Sequence, residues 1–497
     1  VRRSPLLVCL LASVALADWT TGGGGATRSG LAGINATSYF DRVLWDSSLY
    51  SSYGQQVYIC DYKLVTYRYD FTNGPLVCHD LVSGYPLWTR DLGAPGGRSL
   101  PVGFRDNRVY AVELTNPYPD TLYCLDGDSG TTLWTAALQA HMYLSESVTY
   151  AEDGDIIVSC ADFTTARIDR ETGDTVWTTP RVWPVSGSAD LTVSGDRFYG
   201  FGGALVGGGL KVYAFDLATG ARLDSTEVED THPGGTAPYG NIIAGPDGAL
   251  YAHRCGDNVT AIEDHGDSLH VRWVHEVSAD PAALWAQLAC GPDSSVYALS
   301  NGRVVRLDHE TGAAIDSSQV IKDPTATFSA HLAVDAYGRV YATNGGYAGG
   351  ALYCFDPELR LLAVDSIFNV STSNPAISDF GFLAIAGGGT VLKVYDSPNS
   401  VAERPARRLA AIRAWPNPFR SVVRFSLPGT GPLDHSRTGL LTVFDASGRL
   451  VRTLAPRPSS PVPYAWDGRD EAGITAPPGA YFCRAGDTGR ALMVIKQ

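Results

Sequence analysis

Cysteine and histidine are the residues best suited to chemistry in this sequence, and their spacing points away from it. Nine cysteines and ten histidines are scattered over 497 residues. No C-x-x-C pair occurs, so the sulfurs match no zinc spacing. His270 and His275 share a neighbourhood, yet Trp273 between them reads as part of a strand with solvent-facing imidazoles. The run DGDSG at 126–130 resembles the start of a calcium loop but lacks the later bidentate glutamate. The H-E-x-x-H motif, the nucleophile elbow and the P-loop pattern are missing. Gly22–Gly25 has no strand–helix frame behind it and reads as a flexible leader. No catalytic, cofactor-binding or metal-binding residue is expected from these patterns, and no cofactor.

The elements that would position any site come from a repeat. An apolar strand ends in an acidic residue eight times, at Asp80, Asp126, Asp169, Asp216, Glu263, Asp308, Asp356 and Asp396. The intervals run from 40 to 48 residues. Glycine follows four residues after the acid at Gly84, Gly130, Gly173, Gly220 and Gly312, where a hairpin needs positive φ. The acid can accept hydrogen bonds from turn amides two residues on. Tryptophan follows eight residues after it at Trp88, Trp134 and Trp177, with Trp273 as a shifted version, and suits a wedge between adjacent sheets. A second hairpin precedes each unit, as in PVGFRDNRVYAV (101–112) and NIIAGPDGALYAH (241–253).

Two hairpins make four strands per repeat, and four-stranded units of this length arranged radially are β-propeller blades. No segment sustains the 3.6 periodicity of a helical solenoid. The fold class is therefore all-β: an eight-bladed propeller over 18–396, with seven blades if one divergent repeat is miscounted. The last unit lacks its outer strand, and RVLWDSS (42–48) supplies it, with Trp45 in the tryptophan slot. A linker, 397–410, leads to a second domain, 411–497, of short alternating strands that read as a small β-sandwich.

On this frame the polar residues that enter the innermost strands are Ser147, Asp190, Asn241, Gln287, His331 and Asn374. Such a ring either binds a small polar ligand or peptide or lines a water-filled channel. Cys60 and Cys78 fall in one blade, where they either form a disulfide or stay as small buried thiols.

The Y-x-x-D-x-x-T-G-x-x-x-W pattern, in forms such as LDGDSGTTLW and IDRETGDTVW, resembles the PQQ-like (quinoprotein-type) β-propeller repeat. The stretch DWTTGGGGATRSG (18–30) is similar to the opening of many such propellers. The resemblance specifies fold far better than function. Quinone-dependent dehydrogenases of that type use an adjacent cysteine pair, a stacking tryptophan and a calcium ion, and no two cysteines are adjacent here. The tail carries WPNPF (415–419), DASGRLV, WDGRDEAG and PPGAYFCRA, and resembles the FlgD-like immunoglobulin module and the C-terminal sorting domain of type IX secretion. That resemblance implies outer-membrane secretion machinery as a partner.

Residues 1–17 read as a Sec signal peptide, with Arg2 and Arg3 before the apolar stretch Leu6–Leu16. Ala15-Leu16-Ala17 forms the cleavage site, so the processed chain is expected to begin at Asp18. Val8 before Cys9 argues against lipidation. The apolar stretch is shorter than the roughly 20 residues of a membrane span. A net charge of −14 opposes nucleic-acid and anionic-lipid partners. The expected function is a secreted or surface-displayed, non-catalytic module for a protein, peptide or glycan, with a periplasmic location as the alternative. An outer-membrane assembly scaffold is the second reading, ahead of a quinone-dependent or polysaccharide-active enzyme.

Overall fold

The computed structural model describes residues 18–47, 57–68, 74–93, 98–114, 120–138, 148–159, 164–180, 191–203, 210–228, 240–254, 258–277, 283–321, 328–344, 350–367, 374–387, 391–397, 413–415, 421–426, 441–445, 449–454, 464–485 and 491–497. Two compact units divide the chain, Val1–Ser400 and Val401–Gln497.

In the first unit the described residues form eight four-stranded antiparallel sheets. Blades 1 to 7 take their strands in sequence order, over 58–90, 98–137, 149–180, 192–228, 240–275, 289–317 and 332–367. Blade 8 consists of Ala376–Ile377, Leu383–Gly387 and Val391–Tyr395, completed by Val43–Ser47 from the other end of the unit. That N-terminal strand closes the circle as the sequence requires.

Closure is visible in the apolar cores. Buried clusters join blade 1 to 2, 2 to 3, 3 to 4, 4 to 5, 5 to 6 and 6 to 7. A last cluster joins blades 7, 8 and 1. Side chains alternate between the two neighbours: Ala289 and Tyr297 pack toward blade 7, whereas Cys290, Val296 and Ala298 pack toward blade 5. Strands buried on both faces read as continuous apolar runs, which is why these segments lack period-2 polarity.

Asp80, Asp126, Asp169, Asp216 and Asp308 close their turns by accepting the amide hydrogen three residues on. Ser83, Thr172, Thr219 and Thr311 donate their N–H groups to Asp80, Asp169, Asp216 and Asp308 at 2.7–2.8 Å. The tryptophans act between blades. Trp45, Trp88, Trp134, Trp177 and Trp273 donate Nε1–H at 2.8–3.1 Å to the carbonyls of Leu81, Gly127, Arg170, Leu217 and His309. Each acceptor directly follows the acid of the next blade. The same five rings lie over Gly84, Gly130, Gly173, Gly220 and Gly312, where a Cβ would approach the indole to 2.5–2.8 Å. Each of those glycines also has a φ between 68° and 79°. Glycine is thus required twice over, by the backbone and by the neighbouring indole.

The disulfide alternative fails for a geometric reason. Cys60 and Cys78 are free and buried. The strand Lys63–Tyr67 runs between theirs, with Val65 facing both Tyr58 and Cys78. Two strand spacings place the Cα atoms about 9–10 Å apart or more, beyond the roughly 7 Å that a disulfide spans. A short parallel pair, Ala283–Ala286 with Phe328–Ala330, precedes blades 6 and 7 and was not foreseen.

The second unit holds a three-stranded sheet (Arg413–Trp415, Val423–Ser426, Tyr464–Trp466) and a four-stranded one (Leu441–Asp445, Leu450–Leu454, Gly479–Ala485, Ala491–Lys496). Val423, Phe425 and Trp466 from the first and Val443, Tyr481 and Val494 from the second share one core, the expected sandwich.

Gly173→Ala forces alanine into a φ of 79° against the Trp134 ring, and costs more than the roughly 1–3 kcal/mol of backbone strain alone. In a Trp134→Ala background the steric part vanishes. A urea-denaturation cycle should return a coupling of about 1 kcal/mol or more between the two sites; strictly additive costs would show that the indole does not rest on the glycine.

Candidate functional site

The glycine-rich stretch after residue 17 is the hub of the ring rather than a flexible leader. Its carbonyl oxygens accept amide hydrogens from the inner strands of six blades. Ile59 donates to Trp19, Phe104 to Thr20, Val193 to Ala26, Ala244 to Thr27, Cys290 to Ser29 and Val334 to Gly30, all at 2.7–3.0 Å. Blade 3 contributes the Tyr150 hydroxyl to the Thr20 carbonyl and the Thr149 hydroxyl to that of Ala26, both at 3.1 Å. Blade 8 donates the Asp379 amide to Asp18. All eight blades hold this one segment.

Its path explains its composition. Gly23, Gly24 and Gly30 adopt φ of 84°, 101° and 65°. Gly30 donates to the Gly23 carbonyl at 2.9 Å, and a Cβ on it would lie 2.8 Å from that of Ala289. Arg28 is buried inside the turn and donates to the carbonyls of Leu191 at 2.6 Å and Gly22 at 3.0 Å. A guanidinium with five donors suits a place where carbonyls from several elements converge.

The polar residues at the other end of the inner strands occupy one tier. Asn241, Gln287 and His331 stand three residues before the hub-binding Ala244, Cys290 and Val334. Asn374 stands likewise before Ile377 of blade 8. At about 3.3 Å per residue this tier lies roughly 10 Å along the strands from the hub. Four consecutive blades, 5 to 8, therefore present Asn, Gln, His and Asn at equivalent positions. Ser147 and Asp190, the matching residues of blades 3 and 4, lie outside the described residues.

Burial at this tier is deep. Asn241 is 6% exposed and His331 5%, Asn374 is fully buried and Gln287 half-buried. The Asn241 Oδ1 and both ring nitrogens of His331 find no partner within the described protein, nor does Ser159 Oγ at the paired position of blade 3. Only the His331 backbone is fixed, by donating to Thr343 Oγ1 at 3.1 Å and accepting from the Thr343 amide at 3.0 Å. Burial alone holds the imidazole neutral and lowers its pKa to about 3. Buried polar atoms of this kind are ordinarily satisfied by protein groups or ordered water. Sequence reasoning found the tier but missed the hub that floors it, because a carbonyl acceptor leaves no side-chain signature.

Burial pushes the thiols of Cys60 and Cys354 up to about 12 and that of Cys124 to about 11, and all three sit in the cores between blades. The DGDSG segment is an ordinary blade turn, in which Asp126 accepts from the Ser129 amide at 2.9 Å. His270 is exposed on its strand as expected, and accepts or donates to Ser268 Oγ at 2.9 Å.

A buried neutral histidine resists a proton that the unfolded chain accepts. Its stabilising effect is complete above about pH 6.5 and is lost as pH falls toward 3, by at most about 1.4 kcal/mol per pH unit. His331→Gln should flatten the acid side of the pH–stability curve in chemical denaturation between pH 6.5 and 4. An unchanged slope would show that the imidazole is protonated in the folded protein.

Residues 72–246 match the family described as outer membrane protein assembly factor BamB, and residues 428–489 match the FlgD Ig-like domain. No curated protein matches the chain. Among solved structures, BamB from Moraxella catarrhalis aligns with a TM-score of 0.52 and 16% identity, over 70% of this chain and 98% of that one. Quinohemoprotein alcohol dehydrogenase from Comamonas testosteroni aligns at 0.52 and 13%, over 76% and 80%. A europium-containing methanol dehydrogenase aligns at 0.54 and 10%, over 76% and 90%. Identities this low speak for the fold alone. The chain consists of a PQQ/BamB-like propeller domain followed by a C-terminal FlgD Ig-like domain.

Proposed function

We propose that this chain is an exported, non-catalytic propeller, secreted or held at the cell surface, that binds its ligand at the inner tier of blades 5 to 8. The observation that carries this reading is the set of buried atoms there without a partner among the described residues, Asn241 Oδ1 and the two His331 nitrogens. Asn241, Gln287, His331 and Asn374 offer amide and neutral imidazole groups, donors and acceptors without formal charge. Of a protein, a peptide and a glycan, the last suits that lining best, since hydroxyl groups both donate and accept. The hub closes the inner strands at their far end, so a ligand enters from the tier side.

The residues present do not fit a quinone with calcium. No two cysteines are adjacent in the sequence, and the four described tier residues supply no carboxylate for the ion. A periplasmic assembly scaffold is the second reading, favoured by the match of residues 72–246 to the assembly-factor family. The tail supports export instead: its FlgD Ig-like match accords with recognition by outer-membrane secretion machinery.

Glycan-array screening followed by calorimetry tests the site. Asn241→Ala and His331→Ala should each weaken the best saccharide hit at least tenfold, about 1.4 kcal/mol. Affinities unchanged in both variants would remove the tier from binding. Deleting residues 401–497 should leave the propeller in the periplasm when intact cells are treated with protease and fractionated. Equal surface exposure with and without the tail would deny it a sorting role.

A further inference from the structure

Five junctions among the described residues carry an indole, and four of them set it against an apolar side chain. The residue just before the acid of the next blade supplies that side chain. Trp88 shares a buried cluster with Leu125, Trp134 with Ile168, Trp177 with Phe215 and Trp273 with Leu307. At the fifth junction the borrowed strand Val43–Ser47 meets blade 1, and there the position is His79. Its ring stacks on Trp45, with centroids 5.4 Å apart and planes 27° apart. The one titratable group in this series thus stands at the junction that closes the circle.

His79 is 5% exposed. Its Nδ1 lies 3.0 Å from the Gly84 carbonyl. A carbonyl only accepts, so the neutral ring keeps its proton on Nδ1 and leaves Nε2 as a bare acceptor. Nε2 is buried and has no partner among the described residues. Gly84 is also the glycine beneath the Trp45 ring, where a Cβ would come within 2.5 Å. Imidazole, glycine and indole therefore form one contact, and a proton on Nε2 puts a charged donor into it without an acceptor.

The elements around the ring bring no charge to bear on it. Leu64 and Pro86 are its partners on the neighbouring strands. On its own strand Asp80 accepts the Ser83 amide at 2.7 Å and hydroxyl at 2.6 Å. Lys63 pairs with Asp128 of blade 2 at 2.8 Å, and Arg42 pairs with Asp396 at 2.6 Å. Asp46 and Tyr85 are exposed. Burial lowers the imidazole below its ordinary value, the Gly84 carbonyl opposes, and none of these charged groups contributes.

We propose that His79 is an acid-operated release on the closing strand: a proton on Nε2 loosens the Trp45 joint and frees Val43–Ser47 from blade 8. That strand is joined to blade 8 through four paired residues interrupted by a bulge. So short an edge ladder has little hold of its own, and the indole ties it to blade 1 through the Leu81 carbonyl at 2.8 Å. Above about pH 6.5 an exposed histidine is neutral as well, and the joint is fully made. Below that, the released ring takes a proton more readily than the stacked one. The balance then shifts toward the open joint by at most about tenfold per pH unit.

Hydrogen–deuterium exchange of the full chain at pH 7 and pH 5, corrected for intrinsic rates, tests the release. Protection of Val43–Ser47 and Val391–Tyr395 should fall about tenfold relative to Thr132–Ala137, whose Trp134 rests on Ile168. Acid losses common to the whole ring, such as that from His331, cancel in this ratio. His79→Leu copies Leu125 and Leu307 and should abolish the fall; His79→Phe, after Phe215, takes its place should the leucine variant not fold. A ratio that stays constant in the unaltered chain, or a fall that persists in the variant, overturns the release. Protection that rises in acid, as a cation held on the indole face would give, overturns it too.

Discussion

Eight sheets set edge-on around an axis leave eight inner strands whose outward-facing amides have no further strand to bind. Buried N–H groups without acceptors cost about 1–3 kcal/mol each, so a ring of them is a standing penalty on the fold. The segment 18–37 removes it. It offers carbonyls in a coil that meets one blade after another, from Trp19 at blade 1 to Gly30 at blade 7, and returns through Asp18 to blade 8. The ring is consequently not a closed sheet in the manner of a barrel, but a set of independent sheets tied to a common hub. The level of the inner tier on its strands is set by where that hub lies.

The outer ties obey a different rule, one written into the chain as covariation between blades. A glycine stands four residues after the acid in blades 1, 2, 3, 4 and 6, and the preceding blade in each case carries tryptophan. Blades 4, 6 and 7 lack the tryptophan, and the next blades lack the glycine. Blade 4 shows what replaces it: Asp224 accepts the Leu269 amide of blade 5 at 2.6 Å. The loss of tryptophan in later repeats, which reads as decay in a single repeat, is a change of joint made jointly on both sides.

The fold was legible because it is periodic, and the strand-supplied closure was legible because Trp45 kept the indole slot. Blade number, the borrowed strand and the two-domain division all rest on side-chain signals that repeat. Of the two alternatives for Cys60 and Cys78, the buried thiols are what the structure holds. Cys60 and Cys78 share a blade, but the strand Lys63–Tyr67 separates them. The hub was illegible for a deeper reason. Thr20, Ala26, Thr27, Ser29 and Gly30 act through main-chain oxygens, which every residue type has, so glycine richness reads equally as freedom or as tight constraint. Asp18 was equally hidden, since its two donors lie 43 and 361 residues away.

The inner tier sits between these two rules and differs from both. Positions that do the same work in several blades keep the same residue, as the tryptophan–glycine pairs do at five of the eight junctions. The tier keeps polarity without keeping identity: Asn241, Gln287, His331 and Asn374 bring three side-chain types to one backbone level. Packing gives no reason for that, because an apolar residue would bury there without leaving Asn241 Oδ1 or the His331 nitrogens unpaired. The tier is polar, buried and unrepeated in detail, with an ordered coil at the far end of its strands. The repeats of this chain built the wall, and the tier is where the blades differ from one another.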